Sequence, residues 1–173
     1  RLCDPQSKVS AHYLVEEDGR IFALVDEAMR AWHAGKSFWR GITDINSHSI
    51  GIEIVNPGHE FGYRAFPDAQ MKAVLELCRD IKTRYALPAS SFIGHSDIAP
   101  QRKEDPGELF DWKWLAPHGI GVWVELDFEQ AGLLTKDQAI PLPPGGVRGG
   151  DTSINIQCYS FFPSPSPSRR EGS

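Results

Sequence analysis

Residues 48–55 read HSIGIEIV, with Ile50, Ile52 and Ile54 alternating against Ser49, Gly51 and Glu53. Side chains of an extended strand point to opposite faces in turn, so this spacing predicts a strand with one buried apolar face. It also sets a question for the other face. Glu53 points away from the isoleucines, toward whatever lies over the far side of the sheet. A solvated antiparallel face is the simple alternative for a carboxylate placed there.

The segments around this strand complete a fold prediction. In residues 9–25, VSAHYLVEEDGRIFALV, two β-rich runs flank Asp18-Gly19, a dipeptide that tight hairpin turns prefer, and an antiparallel hairpin is expected. Pro67 and Asp68 open a segment in which Met71, Val74, Leu75, Cys78, Ile81 and Tyr85 recur at helical spacing, and Pro88 stops it. This predicts an amphipathic helix of about five turns. The short apolar run SFIG, 91–94, then reads as a strand ending at His95. Elements in the order ββ, β, α, β predict the α/β class, a mixed central β-sheet flanked by α-helices. From Pro141 onward PLPPGGVRGG and FFPSPSPSRREGS are rich in Pro, Gly and Ser, and disorder is expected from about residue 141.

Composition narrows the partners. The 173 residues, 40% hydrophobic and 24% charged, have length for one domain and its core. A net charge of −5 and the lack of any Lys/Arg-rich run argue against a nucleic-acid partner. No apolar stretch reaches the roughly 20 residues of a membrane span. The opening RLCDPQSKVS has neither an initiator Met nor the pattern of a leader peptide and reads as an interior cut. Cys3, Cys78 and Cys158 form no Cys-x-x-Cys pair, and their odd number makes no complete disulfide framework.

The chemistry concentrates in residues 94–107, GHSDIAPQRKEDPG. His95 and Asp105 are a nitrogen and an oxygen donor of the types that bind zinc, and a catalytic zinc takes three protein ligands and a water. Lys103, two residues before Asp105, could stabilise an oxyanion beside the metal, and Glu53 could serve as general base toward metal-bound water. Residue by residue, a second reading stays open. A single loop histidine is more often a hydrogen-bonded surface residue, Lys103-Glu104-Asp105 is commonly a solvated charge run, and His-x9-Asp is not a tight signature. His12 and His33 read more readily as hydrogen-bonded structural residues. Trp32, Trp39, Trp112 and Trp114 could be core or groove wall, with core the default for at least two.

KVSAHYLV, AWHAGKSFWRG, NSHSIGIEIVNPG and GHSDIAPQRKEDPGELFDW, in this order and at these separations, resemble the zinc-dependent N-acetylmuramoyl-L-alanine amidases of the type 2 family. The likeness covers roughly residues 4–123 and extends to the fold of the peptidoglycan recognition proteins. It implies an amidase domain at 1–125, with 126–173 a tail outside the family. It implies cleavage of the amide between N-acetylmuramic acid and L-alanine in peptidoglycan or muropeptides, with Zn2+ as cofactor. By position, His95 and Asp105 match metal ligands, Glu53 the catalytic acid, Lys103 the oxyanion-side lysine and His33 a substrate-contacting pocket residue.

The family's first zinc histidine lies on an earlier strand, so this chain is expected to lack that strand and ligand, to leave a sheet edge unpaired and to hold zinc weakly or be inactive. His12 matches a different family histidine. A non-catalytic peptidoglycan-binding module is the alternative, which has no need of Glu53, Lys103 and Asp105 together. The parent protein is expected as a monomer in the periplasm or outer membrane of a Gram-negative bacterium, with the cytoplasm as the other location, because APHGIGVW favours the outer-membrane-anchored branch of the family.

Overall fold

Residues 9–125 and the strand at 153–159 are described by the computed structural model. The hairpin forms as expected. β1, Tyr13–Val15, pairs antiparallel with β2, Ile21–Ala23, Leu14 standing opposite Phe22. Gly19 takes φ +87°, and Asp18 Oδ1 accepts from the Arg20 N–H at 3.0 Å. β3, Ser49–Val55, runs parallel to β1 with Glu53 level with Leu14. The helix α1, Asp68–Tyr85, leads to β4, Phe92–Gly94, and the short helices α2, His95–Ile98, and α3, Trp112–Leu115, follow.

A last strand, β5 at Ser153–Tyr159, lies between β3 and β4 and is parallel to both. The sheet order is β2-β1-β3-β5-β4, a mixed sheet of the expected class. For residues 153–159 the expectation of disorder is therefore corrected. Their Ile-Asn-Ile repeat has strand period, but it is short and enclosed by Pro, Gly and Ser on both sides, and that composition hid it. The rest of the segment from 141 lies outside the described residues. The edge of β3 facing β4 is paired with β5 over seven residues, Glu53 level with Gln157, and β2 and β4 are the outer strands.

One face of the sheet carries the main core. Ile50, Ile52, Ile54 and Val15 pack against Met71, Val74, Leu75, Cys78 and Ile81 of α1, as the two periodicities require. Complete burial of an Ile side chain is worth roughly 1.5–3 kcal/mol, so three on one strand are a large share of a small domain's stability. Buried Gln70 locks the first turn of α1 to the sheet, its Nε2 donating to the carbonyls of Val15 at 3.1 Å and Val55 at 2.8 Å. The helix has Asp68 in its first turn and Lys82 and Arg84 in its last, charges that suit its dipole. Tyr85 departs from the apolar stripe. It is 41% exposed and donates its hydroxyl to Glu27, a polar partner that the phenol needs.

The other face is covered as well. The loop 31–48 crosses it, and Ala34 and Ile45 pack with Ile93, Ile98 and Ala99. Gly51 makes this closure possible, since a Cβ there would fall 2.4 Å from the His33 ring. Buried on both faces, β3 becomes the floor of a polar site. Among the described residues no helix is long and apolar enough to cross a membrane.

Candidate active site

β4 ends at Gly94, and α2 begins at His95 directly beneath the loop 31–48. His95 is 3% exposed, and both ring nitrogens are engaged. Nε2 lies 3.1 Å from the Ala34 carbonyl oxygen, and Nδ1 lies 3.0 Å from Asp105 Oδ2. The carbonyl and the carboxylate both only accept, so the neutral ring donates to Ala34 from Nε2 in one tautomer or to Asp105 from Nδ1 in the other.

Ala34 is itself fixed. Asn46 Oδ1 accepts from the His33 N–H at 3.0 Å and the Ala34 N–H at 2.8 Å. Arg102 Nη2 donates to the carbonyls of Ala34 and Lys36, each at 2.9 Å, tying the 33–36 turn to the loop after α2. Neither Asn46 nor Arg102 was expected from the sequence. They act on backbone carbonyls and amides of a distant loop, which leaves no residue pattern to read.

Asp105 returns to the site because Ser96 N–H donates to its carbonyl at 2.9 Å. Lys103 Nζ stands 3.9 Å from Asp105 Oδ1, its side chain 37% exposed. Glu53, 2% exposed, lies near enough to both to feel their charges. Burial first and the Asp105 charge second push its carboxyl up, the Lys103 ammonium opposing them, to about 8. The solvated-face alternative for Glu53 is thereby excluded. Asp105 thus links the four side chains, contacting His95 and Lys103 and acting with Lys103 on Glu53.

His33 and His12 lie beside this group. His33 is 5% exposed over Gly51, its ring centroid 5.5 Å from that of His12, and burial, with His12 and His95 nearby, lowers it to about 3. It is neutral at physiological pH. His12 is structural: Nδ1 accepts from the Gly51 N–H at 2.9 Å, Nε2 donates to Met29 O at 3.0 Å, and burial lowers its pKa. Both nitrogens bridge the start of β1 to β3 and the following loop. Trp39, Trp112 and Trp114 pack partly buried against the cores, while Trp32 is 54% exposed under the Arg30 guanidinium.

The donor chemistry fits a zinc ion at two positions, the His95 Nδ1 and the Asp105 carboxylate beside it. Among the described residues no group of three His, Cys, Asp or Glu forms a complete ligand set. A buried carboxyl, an ammonium and this donor pair are the group types that amide hydrolysis by water uses.

The chain belongs to the N-acetylmuramoyl-L-alanine amidase family (Amidase_2), which matches residues 1–108. N-acetylmuramoyl-L-alanine amidase AmiD of Escherichia coli K12 is 46% identical over 134 residues, 70% of this chain and 48% of AmiD. The 1,6-anhydro-N-acetylmuramyl-L-alanine amidase AmpD of Citrobacter freundii is 42% identical over 105 residues, 61% of this chain and 54% of AmpD. A solved structure of E. coli AmiD with the substrate anhydro-N-acetylmuramic acid-L-Ala-D-gamma-Glu-L-Lys superimposes with a TM-score of 0.66 at 44% identity, covering 72% of this chain and 52% of that one. The mixed sheet and its helices are thus those of the type 2 amidases. The chain spans about half the length of these relatives.

Proposed function

We propose that this chain hydrolyses the amide between N-acetylmuramic acid and L-alanine in peptidoglycan fragments, with Zn2+ held by His95 and Asp105. The single observation that carries the reading is the convergence of Glu53 with Lys103, His95 and Asp105 on the polar face of β3. A binding module gains nothing from burying there a carboxyl whose ionisation is penalised. The substrate class is supported by AmiD, whose solved complex holds an anhydromuramyl tripeptide.

When bound, zinc supplies an electrophile for the carbonyl and lowers the pKa of water. The chain's own residues divide the remaining work. Glu53, with its carboxyl pushed up to about 8, accepts a proton from the attacking water and returns it to the leaving amine of L-alanine. Neutralisation of the Asp105 charge, the second cause of that rise, brings Glu53 closer to the pH at which it works. Lys103 faces the oxygen that becomes negative as water adds. The Ala34 carbonyl, itself held by Arg102, orients the His95 ring through Nε2 so that Nδ1 faces Asp105. His33, neutral and buried beside His95, forms a polar wall where the substrate's muramyl or alanyl amide can dock.

Mass spectrometry of a defined muropeptide incubated with the chain tests this directly. Release of the L-alanine-headed peptide with added zinc, abolished by a chelator, is expected. An intact muropeptide under both conditions would overturn the reading.

A further inference from the structure

We propose that Tyr63 is a positioning residue for Asp105, acting through the turn that follows it. The proposal rests on the reading of Asp105 as a zinc-side carboxylate. The observations come from residues 56–64, NPGHEFGYR, which the mechanism above does not use. Asn56, 1% exposed, closes this loop on itself: its Nδ2 donates to Arg64 O at 2.8 Å and its Oδ1 accepts from the Gly58 N–H at 3.1 Å.

The closed loop presents two rings to residues 104–109. The Tyr63 hydroxyl donates to the Pro106 carbonyl at 2.8 Å and accepts from the Leu109 N–H at 3.0 Å, bridging the turn immediately after Asp105. His59 lies against the Tyr63 ring, centroids 4.2 Å apart, and contacts Glu108 at 2.9 Å and Glu104 at 3.6 Å, gripping the residues on either side of that turn. Gly107 is shaped for this contact. It has φ +86°, and a Cβ there would come within 2.4 Å of the Tyr63 hydroxyl.

Asp105 therefore sits between two anchors. Ser96 N–H holds its own carbonyl from the β4 side, and Tyr63 holds the next carbonyl from the opposite side. The carboxylate between them has two jobs, meeting His95 Nδ1 and setting the charge that Glu53 feels. Groups that orient a metal-side carboxylate commonly cost 10- to 100-fold in metal affinity or activity when removed.

The test compares the full chain with its Tyr63→Phe, Gly107→Ala and Asp105→Asn variants. The readouts are zinc affinity by chelator competition, amide hydrogen exchange at Ser96 and Leu109 without metal, and kcat and KM on a muropeptide. Tyr63→Phe is expected to weaken zinc about 10-fold, to lower kcat by about the same factor with KM within about twofold, and to speed exchange at both amides. Gly107→Ala, whose Cβ would meet the Tyr63 hydroxyl at 2.4 Å in a turn already at φ +86°, is expected to give the same pattern or a stronger one. Unchanged zinc affinity in Tyr63→Phe, where Asp105→Asn loses it, overturns the proposal. If the unmodified chain and Asp105→Asn bind zinc alike, the proposed function fails instead. The positioning claim then stands if Ser96 exchange quickens in Tyr63→Phe and falls if it does not.

Discussion

The two faces of β3 are both buried, yet they are built from opposite materials. Ile50, Ile52 and Ile54 face α1 and make the main core, while Gly51 lies under His33 of the loop 31–48 and Glu53 feels the charges of Lys103 and Asp105 from the segment after α2. The apolar face gains free energy by excluding water from matched hydrocarbon surface. The polar face does the reverse at Glu53, holding a carboxyl whose ionisation is penalised. A single strand thus carries both the stability of the fold and the strain of the site, one residue apart.

If that division is real, substitutions on the two faces separate stability from activity. The largest loss of stability is expected from Ile52→Ala, which leaves a cavity under α1 at a residue with no exposure and costs about 3 kcal/mol, read as a shift in the denaturant midpoint. Gly51→Ala comes next at about 2 kcal/mol, because the added methyl meets the His33 ring at 2.4 Å, and this variant is also expected to lose muropeptide cleavage.

Glu53 gives a subtler signature. Its folded pKa of about 8 lies above the ordinary 4.5, so the folded state holds the proton more tightly. The corresponding stability is fully present below about pH 4.5 and is lost as pH rises through about 8, a change on the order of a few kcal/mol. Thermal midpoints of the metal-free chain and of Glu53→Gln across that window check it, and the variant is expected to show the flatter profile. The smallest effect is expected at Lys113, which pairs with Glu125 where both side chains are well exposed. Lys113→Ala should leave the denaturant midpoint essentially unmoved, at low and at high salt alike.

Much of this was legible in the chain itself. Alternation at 50–54 and the helical spacing of Met71, Val74, Leu75, Cys78 and Ile81 predicted the faces that meet, because burial selects side chains by their period. Glu53, His95, Lys103 and Asp105 could be named because their side chains carry the chemistry. The parts that hold them were hidden. Ala34 contributes a carbonyl, Asn46 and Arg102 act on backbone groups, and Tyr63 bridges a turn 43 residues away. Such contacts depend on how loops close and not on residue period. β5 was missed for a related reason, since a seven-residue strand in the middle of a sheet needs only a short apolar alternation, and its Pro- and Gly-rich flanks dominated the reading.

The central claim is that the polar face of β3 supplies the base for amide hydrolysis. The most direct measurement sets Glu53→Gln beside the unmodified chain, following release of the L-alanine-headed peptide and the thermal midpoint together in the presence of zinc. The account predicts a variant at least as stable at pH 8 whose release falls by about 10²–10⁴-fold, the range that a general base contributes. A folded Glu53→Gln protein that cleaves at the unmodified rate would contradict it.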